Sequence, residues 1–424
     1  MRIIKKILHI TIISISLFSC KTNDKPKIEK IEEKIVKEED VKKIEEKKEE
    51  KIVKEDIKKI EEKKEEKIVK KIEEKKENSI IRVKIKLKKN EDVIITNNKN
   101  IIVKDLSNNK NIKIKENKIV INIKNGALSI NNTNVNSPII INSKKDEMIE
   151  LNSKYYLGSF KVIFNNNDFD IINYIPIETY LLSVLPSEMP VSFELEALKS
   201  QAVAARTYAY YFINKFGETR EFDVDNTTSY QVYNGFNPNM KKEDKNKIAL
   251  AVEKTKNLII KYNNEPIIAY FHSNSGGKTI NSKEYFGGKD YPYLISKKDP
   301  YSLGVKSSTW ELIIQNKEFS KIFKYNGLIT DKDITYNSDS YVDKMRIGTK
   351  QLDTKEIRRN VGYSVMKSER FSVKFNNDNI IFRGIGYGHG VGMSQWGANN
   401  MAKKGFNFKD IIEFYYPETK IDIF

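Results

Sequence analysis

Cysteine is almost missing from this 424-residue chain, in which Cys20 stands alone. One thiol excludes an intramolecular disulfide framework, a cysteine-rich zinc module and an internal redox pair. Histidine is nearly as scarce: beyond His9 only His272 and His389 occur, far apart in sequence. After the N-terminal segment no run is long and apolar enough to read as a membrane-spanning helix. A uniform globule is excluded too, because Asp24–Glu77 holds 20 lysines and 20 acidic residues and carries no net charge. The formal charge of +17 therefore comes from a short head (+4) and from the last 347 residues (+13). The length suffices for two or three domains.

In the head, Arg2, Lys5 and Lys6 precede an apolar run from Ile7 to Phe18, followed by Ser19 and Cys20. A positive start and about a dozen apolar residues read as an export signal, too short to span a bilayer comfortably. The small residue before Cys20 resembles a bacterial lipobox, although Phe18 departs from the commonest pattern. Residues 1–20 are read as a lipoprotein signal peptide, with Cys20 lipidated as the new N-terminus; the alternative is an ordinary export signal with an incidental cysteine. The protein is expected to be exported, anchored to a bacterial membrane through lipid, and facing the periplasm or cell wall.

Residues 21–79 read as a charged spacer. KKIEEKKEEKIVK at Lys42–Lys54 recurs at Lys58–Lys70. Glu50–Lys54 and Glu66–Lys70 are helix-supporting i,i+4 pairs, whereas Glu46–Glu50 opposes them. Ile44, Ile52, Val53, Ile60, Ile68 and Val69 are too sparse for a sustained heptad seam. The reading is a solvated, partly helical stalk, with a coiled coil as the alternative. Fully helical, it would reach about 80 Å.

From Ile80 to about Ile172 short alternating runs such as Arg82–Leu87, Asn111–Lys115 and Ile119–Ile123 predict a β-rich region of meanders or hairpins. Helices enter after Tyr174. Leu195, Leu198, Ala202, Ala205, Ala209, Phe212 and Phe216 keep helical spacing, with Ser192 as the expected N-cap. Further helices are expected over Glu243–Leu258, from Trp396 to Gly405, and over Lys409–Tyr416. Strands and helices mix without regular βαβ alternation, so the fold class is α+β, with residues 80–424 as one domain.

Two nucleotide-site patterns fail. Ser275-Gly276-Gly277-Lys278-Thr279 ends like a phosphate-binding loop, but His272 occupies the required leading glycine position. The run Gly384–Gly392 never spaces three glycines as a dinucleotide fingerprint does. Alternate glycines at Gly386, Gly388, Gly390 and Gly392 instead permit positive φ or close approach of another backbone. Glu188, between Pro186 and Pro190 in an apolar stretch, is a general-acid candidate, because such a setting disfavours the ionised carboxylate. The plainer alternatives are a packed core histidine at His389 and a carboxylate at the N-terminus of a helix at Glu188.

The blocks YLLSVLPSEMPVSFELEALKSQAVAARTYA (Tyr180–Ala209), TTSYQVYNG (Thr227–Gly235), AVEKTKNLIIKYNNEPIIAYFHSNSGGKT (Ala251–Thr279) and GYGHGVGMSQWGANNMAKKGF (Gly386–Phe406) resemble the stage II sporulation protein D family, which includes amidase enhancers. The match runs from about Arg82 to Phe424 and is thinnest before Tyr155 and between Lys306 and Arg358. The resemblance implies peptidoglycan as substrate and lytic transglycosylase activity on glycan strands stripped of stem peptides. Glu188 matches the catalytic acid of the family's Glu-Met-Pro motif. Arg206, Gln231, Tyr233, His272, Ser273, Ser275, His389, Gln395 and Trp396 match groove positions, about half of them expected to touch substrate. Asp223 and Asp225 are candidates for electrostatic help.

No cofactor is expected, and no metal: some family members build a zinc site from Cys and His near the block containing His272, whereas this chain has no cysteine after Cys20 and only His272 and His389 in the domain. The expected partners are glycan strands, a cell-wall amidase and the membrane, with no nucleic acid. A non-catalytic, peptidoglycan-binding enhancer of an amidase is the alternative function. A polyanion-binding adhesin has charge alone in its favour, which gives attraction but no site.

Overall fold

The computed structural model describes residues 79–424 apart from 89–90, 97–100, 115–117, 144–146, 167 and 377. The export signal, Cys20 and the charged repeat lie outside the described residues.

On a pleated strand every second side chain faces the same way. Strand Ile80–Ile85 accordingly buries Ile81, Val83 and Ile85 and leaves Arg82 and Lys84 partly exposed. It belongs to a seven-stranded sheet in the order Val224–Asp225, Ile80–Ile85, Asp168–Pro176, Ser159–Asn165, Ile139–Ser143, Ile101–Asp105, Lys110–Ile112. A six-stranded sheet runs Lys154–Tyr156, Ile149–Leu151, Val93–Thr96, Ile119–Lys124, Ala127–Ile130, Thr133–Asn134. Ile81 and Val83 of the first sheet share one apolar cluster with Val93, Ile95, Ile119 and Ile121 of the second. Each fully buried side chain of this kind contributes about 1.5–3 kcal/mol. All pairings in the two sheets are antiparallel except Val83 beside Val224, where a distant segment joins the edge.

Helix α1, Ile177–Glu188, continues directly from strand Asp168–Pro176. Glu188 is therefore the last residue of a helix, not the first-turn acid of the following one. Extended Met189 and then Pro190 end α1, since Pro190 has no N–H to continue the ladder and disfavours helical backbone at the residue before it. Helix α2, Leu195–Phe216, has Glu194 at its N-cap without a side-chain bond, so Ser192 does not cap it. This helix is buried well beyond one stripe, Ala202 to Ala205 all being inside. It packs against α1, against α3 (Lys242–Glu253) and against strand Leu258–Tyr262. The α3 helix stops at Glu253, short of the expected Leu258, because Leu258 opens that strand.

Helix α4 is Ser282–Phe286, α5 Asn316–Ile322 and α6 Thr354–Val361. Helices α7, Gln395–Lys403, and α8, Phe408–Tyr415, close the chain against α2. Between Thr309 and Ile385 lies a second apolar core around Trp310, Phe319, Met345, Phe371 and Phe382. Two three-stranded sheets, α5 and α6 enclose it. The fold is α+β. Among the described residues no helix is long and apolar enough to cross a membrane.

Candidate active site

Glu188 is held at the C-terminal end of α1, where the helix dipole disfavours negative charge. Its Oε1 accepts a hydrogen bond from the Val232 amide at 2.5 Å. Burial nevertheless pushes the carboxyl up to about 7, against the lowering effect of that amide. Tyr180 and Tyr208 feel its charge and that of Asp225, and burial first of all lifts both phenols well above their usual range. They stay neutral at physiological pH beside a carboxyl poised near neutrality.

Behind this group the side chains are closed. The Tyr180 hydroxyl donates to Gln231 Oε1 at 3.2 Å, and Gln231 Nε2 donates to the Ala205 carbonyl at 3.3 Å. The Tyr233 hydroxyl donates to Asn173 Oδ1 at 2.8 Å, and its ring lies 5.0 Å from that of Tyr180. Arg206 is fully buried, with Nε and Nη2 donating to Glu178 Oε1 and Oε2, each at 2.7 Å. Asp223 is bound to Arg82 by ion pair and backbone amide, and Asp225 accepts from the Thr227 amide and hydroxyl. Of the groove candidates, Arg206, Gln231 and Tyr233 have no accessible surface and their polar groups bond internally. They set the position of α1 and of the Val232 amide.

A second group forms where strand Phe271–His272 pairs in parallel with Met393–Ser394. Gly386, Gly388, Gly390 and Gly392 all have positive φ, from 71° to 104°. A Cβ on Gly392 would stand 2.0 Å from the Tyr270 carbonyl oxygen, so the glycine run serves close backbone approach. His272 donates from Nδ1 to the Val391 carbonyl at 3.0 Å, while its buried Nε2 has no hydrogen-bond partner. Burial, then the neighbouring His389, pushes the His272 pKa well down. His389 accepts the Val391 amide at Nδ1, and burial followed by the Arg358 charge lowers it to about 4. Both imidazoles are neutral at pH 7, with ring centroids 5.5 Å apart.

The rings of Tyr270, Tyr285 and Phe286 surround His389 at 5.5–5.8 Å. Tyr270 also lies 5.9 Å from Tyr208, so aromatic contacts run from the Glu188 group to His389. Ser273, His389 and Trp396 are partly exposed. Trp396 meets Phe193 edge-on at 4.7 Å, and its amide donates to the Ser273 carbonyl. Gln395 Nε2 donates to Gln201 Oε1 at 3.4 Å, and its side chain is largely covered. Ser275 is wholly buried, and its hydroxyl donates to Asp299 Oδ2 at 2.6 Å.

Sequence reasoning passed over Tyr208, Tyr270, Phe286 and Asp299. Tyr208 and Tyr270 stand inside the motif blocks, which was a usable signal; Asp299, accepting from Ser275, Ser302 and Tyr415, had none. A groove of about 560 Å³ runs along α1 past Ser183, Pro186 and Ser187, but Glu188 does not line it. Among the described residues no three His, Cys, Asp or Glu side chains group to hold a metal ion. Chemically, the assembly offers one carboxyl able to give and take a proton near neutral pH, neutral hydrogen-bonding groups and aromatic faces.

A family model described as stage II sporulation protein matches residues 165–262, the stretch that holds α1, Glu188 and α2. The chain is 36% identical over 272 residues to an uncharacterized protein of Brachyspira hyodysenteriae, covering 63% of this chain and 72% of that one. It is 33% identical over 336 residues to the amidase enhancer of Bacillus subtilis, covering 66% of this chain but only 46% of the enhancer. With the stage II sporulation protein D of Bacillus subtilis it shares 37% identity over 260 residues, 58% of this chain and 74% of that protein. Sequence identity at that level, across about three quarters of the relative, places the chain in the stage II sporulation protein D family.

Proposed function

We propose that this protein is an exported peptidoglycan-remodelling lytic transglycosylase that cuts glycan strands already stripped of stem peptides. The observation that carries this reading is Glu188: a carboxyl held by one backbone amide and lifted by burial to about 7. A general acid works best when its pKa lies near the working pH. The protonated carboxyl gives its proton to the glycosidic oxygen as the bond to the anomeric carbon breaks. The sugar's own C6 hydroxyl then attacks that carbon and returns its proton to Glu188, leaving a 1,6-anhydro end. Water is not the nucleophile, so the second carboxylate of ordinary glycosidases is not required. Ser273, His389 and Trp396, with the aromatic rings beside them, would contact the strand, and Cys20 would carry the lipid anchor.

The test is mass spectrometry of products from intact and amidase-stripped peptidoglycan. Anhydro-ended products from stripped strands, lost in Glu188→Gln, support the enzyme. A second reading, a non-catalytic enhancer of an amidase, draws on the 33% identity to a relative of that name. Absence of cleavage with wild-type protein, together with stimulation of an added amidase, would favour it.

A further inference from the structure

At the C-terminal end of α2, two cations lie over aromatic rings. The Arg220 guanidinium carbon lies 4.1 Å from the Phe216 ring centroid and 4.5 Å from that of Phe222. Lys215 Nζ stands 5.6 Å from the same Phe216 ring. No carboxylate among the described residues pairs with either cation: Glu221, the adjacent acid, is bound to Lys161 at 2.8 Å, and exposed Glu218 forms no ion pair. A guanidinium lying over two rings, with no hydrogen bond from its N–H donors among the described residues, is suited to a planar carboxylate.

This patch is connected to Glu188. Phe216 contacts Phe212 at 5.6 Å, and Phe212 contacts Tyr208 at 4.8 Å and Tyr230 at 5.0 Å. Tyr208 feels the Glu188 charge, and Tyr230 is two residues from the Val232 amide that bonds Glu188. Tyr208 and Phe216 are eight residues apart on α2, about 12 Å along the axis.

We infer that Arg220 and Lys215 form an anion subsite that takes the lactyl carboxylate of a muramyl sugar on the strand bound at Glu188. The inference rests on the glycan reading above and gives it a physical cause of specificity. Hydrolysis of the amide joining the stem peptide to the lactyl group leaves a free carboxylate on the sugar. In an unstripped strand the same position is a neutral amide. The two cations therefore attract the stripped strand and gain little from the intact one.

Binding of purified protein is titrated against stripped strands and against the same strands with their lactyl carboxylates converted to primary amides. Wild type should bind the carboxylate form about three- to tenfold more tightly, less so in high salt. Arg220→Gln and Lys215→Gln should each shrink that preference, the double variant should abolish it, and Arg220→Lys should keep part of it. Equal wild-type affinity for both strands, or a double variant that retains the preference, overturns the inference. Should Arg220→Gln fail a thermal-melting control, Lys215→Gln on its exposed side chain decides. The assay needs no turnover: failure of the catalytic reading appears as full activity of Glu188→Gln, whereas failure of the subsite appears in binding alone.

Discussion

The Val232 amide donates to Glu188 Oε1 across 44 residues of sequence, tying the end of α1 to the loop that carries Gln231 and Tyr233. One hydrogen bond does not offset the burial of that carboxyl, which titrates at about 7. On the proposed reading Glu188 would act as general acid only when protonated, so kcat/KM on stripped strands should fall about tenfold per pH unit above 7. The fall is read from the rate of anhydro-muramyl product formation. A profile flat to pH 9 would remove Glu188 from the proton-transfer role.

The same carboxyl leaves a mark on stability. Its folded pKa of about 7 lies above the unfolded value of 4.5. The stabilising contribution of the protonated form is complete below pH 4.5 and is lost as pH rises through 7. Glu188→Gln should therefore be more stable than wild type at pH 8.5 by about 3 kcal/mol at most, with the gap closing by pH 5. Paired denaturation curves at the two pH values measure it.

The two histidines act with the opposite sign. Burial holds both below the unfolded value of 6.5, His389 at about 4. The unfolded chain binds protons first, so stability is lost as pH falls from 6.5 towards 4. In the Glu188→Gln background, His389 should account for a loss of about 2 kcal/mol between pH 6.5 and 5. Replacement by Asn should flatten that slope, as read by urea midpoints.

Arg206 separates a core role from a substrate role. Arg206→Met leaves Glu178 without its partner, and breaking a buried pair costs about 3–5 kcal/mol. The expected outcome is a lower melting temperature at neutral pH. A variant with unchanged melting and weakened strand binding would restore Arg206 to the groove.

At Gly392 a Cβ would meet the Tyr270 carbonyl and φ is +71°, whereas at Gly405 φ is +89° with nothing within 4 Å. Gly392→Ala should cost about 2–5 kcal/mol and Gly405→Ala about 1–2 kcal/mol. Equal melting shifts would mean that close backbone approach plays no part in the glycine run.

The β-rich start and helix α2 were legible because period-2 and period-3.6 patterns survive in Ile80–Ile85 and Leu195–Phe216. Helix α1 was not. Pro186 sits within its last turn, and its residues are buried on too many sides to leave a clean stripe. The motif blocks pointed to the right neighbourhoods but could not separate a groove residue from its support. Gln231 and Tyr233 look as polar in sequence as His389, and only the packing of Tyr180, Asn173 and Ala205 shows them bonded inward. Asp299 escaped notice because its three donors come from segments up to 116 residues away.

The second core between Thr309 and Ile385 begins and ends on paired strand positions, Thr309 facing Ile385. It grips the histidine loop from behind: the Gly388 amide donates to the Lys367 carbonyl, and Arg370 reaches the Ser275 carbonyl. A segment closed at its base in this way can open as its own cooperative unit. Such opening would slacken the backing of the loop that carries His389 while α1, Val232 and Glu188 stay in place. In rising denaturant, the surroundings of His389 would then loosen before those of Glu188, and hydrogen exchange would report two stability levels within one chain.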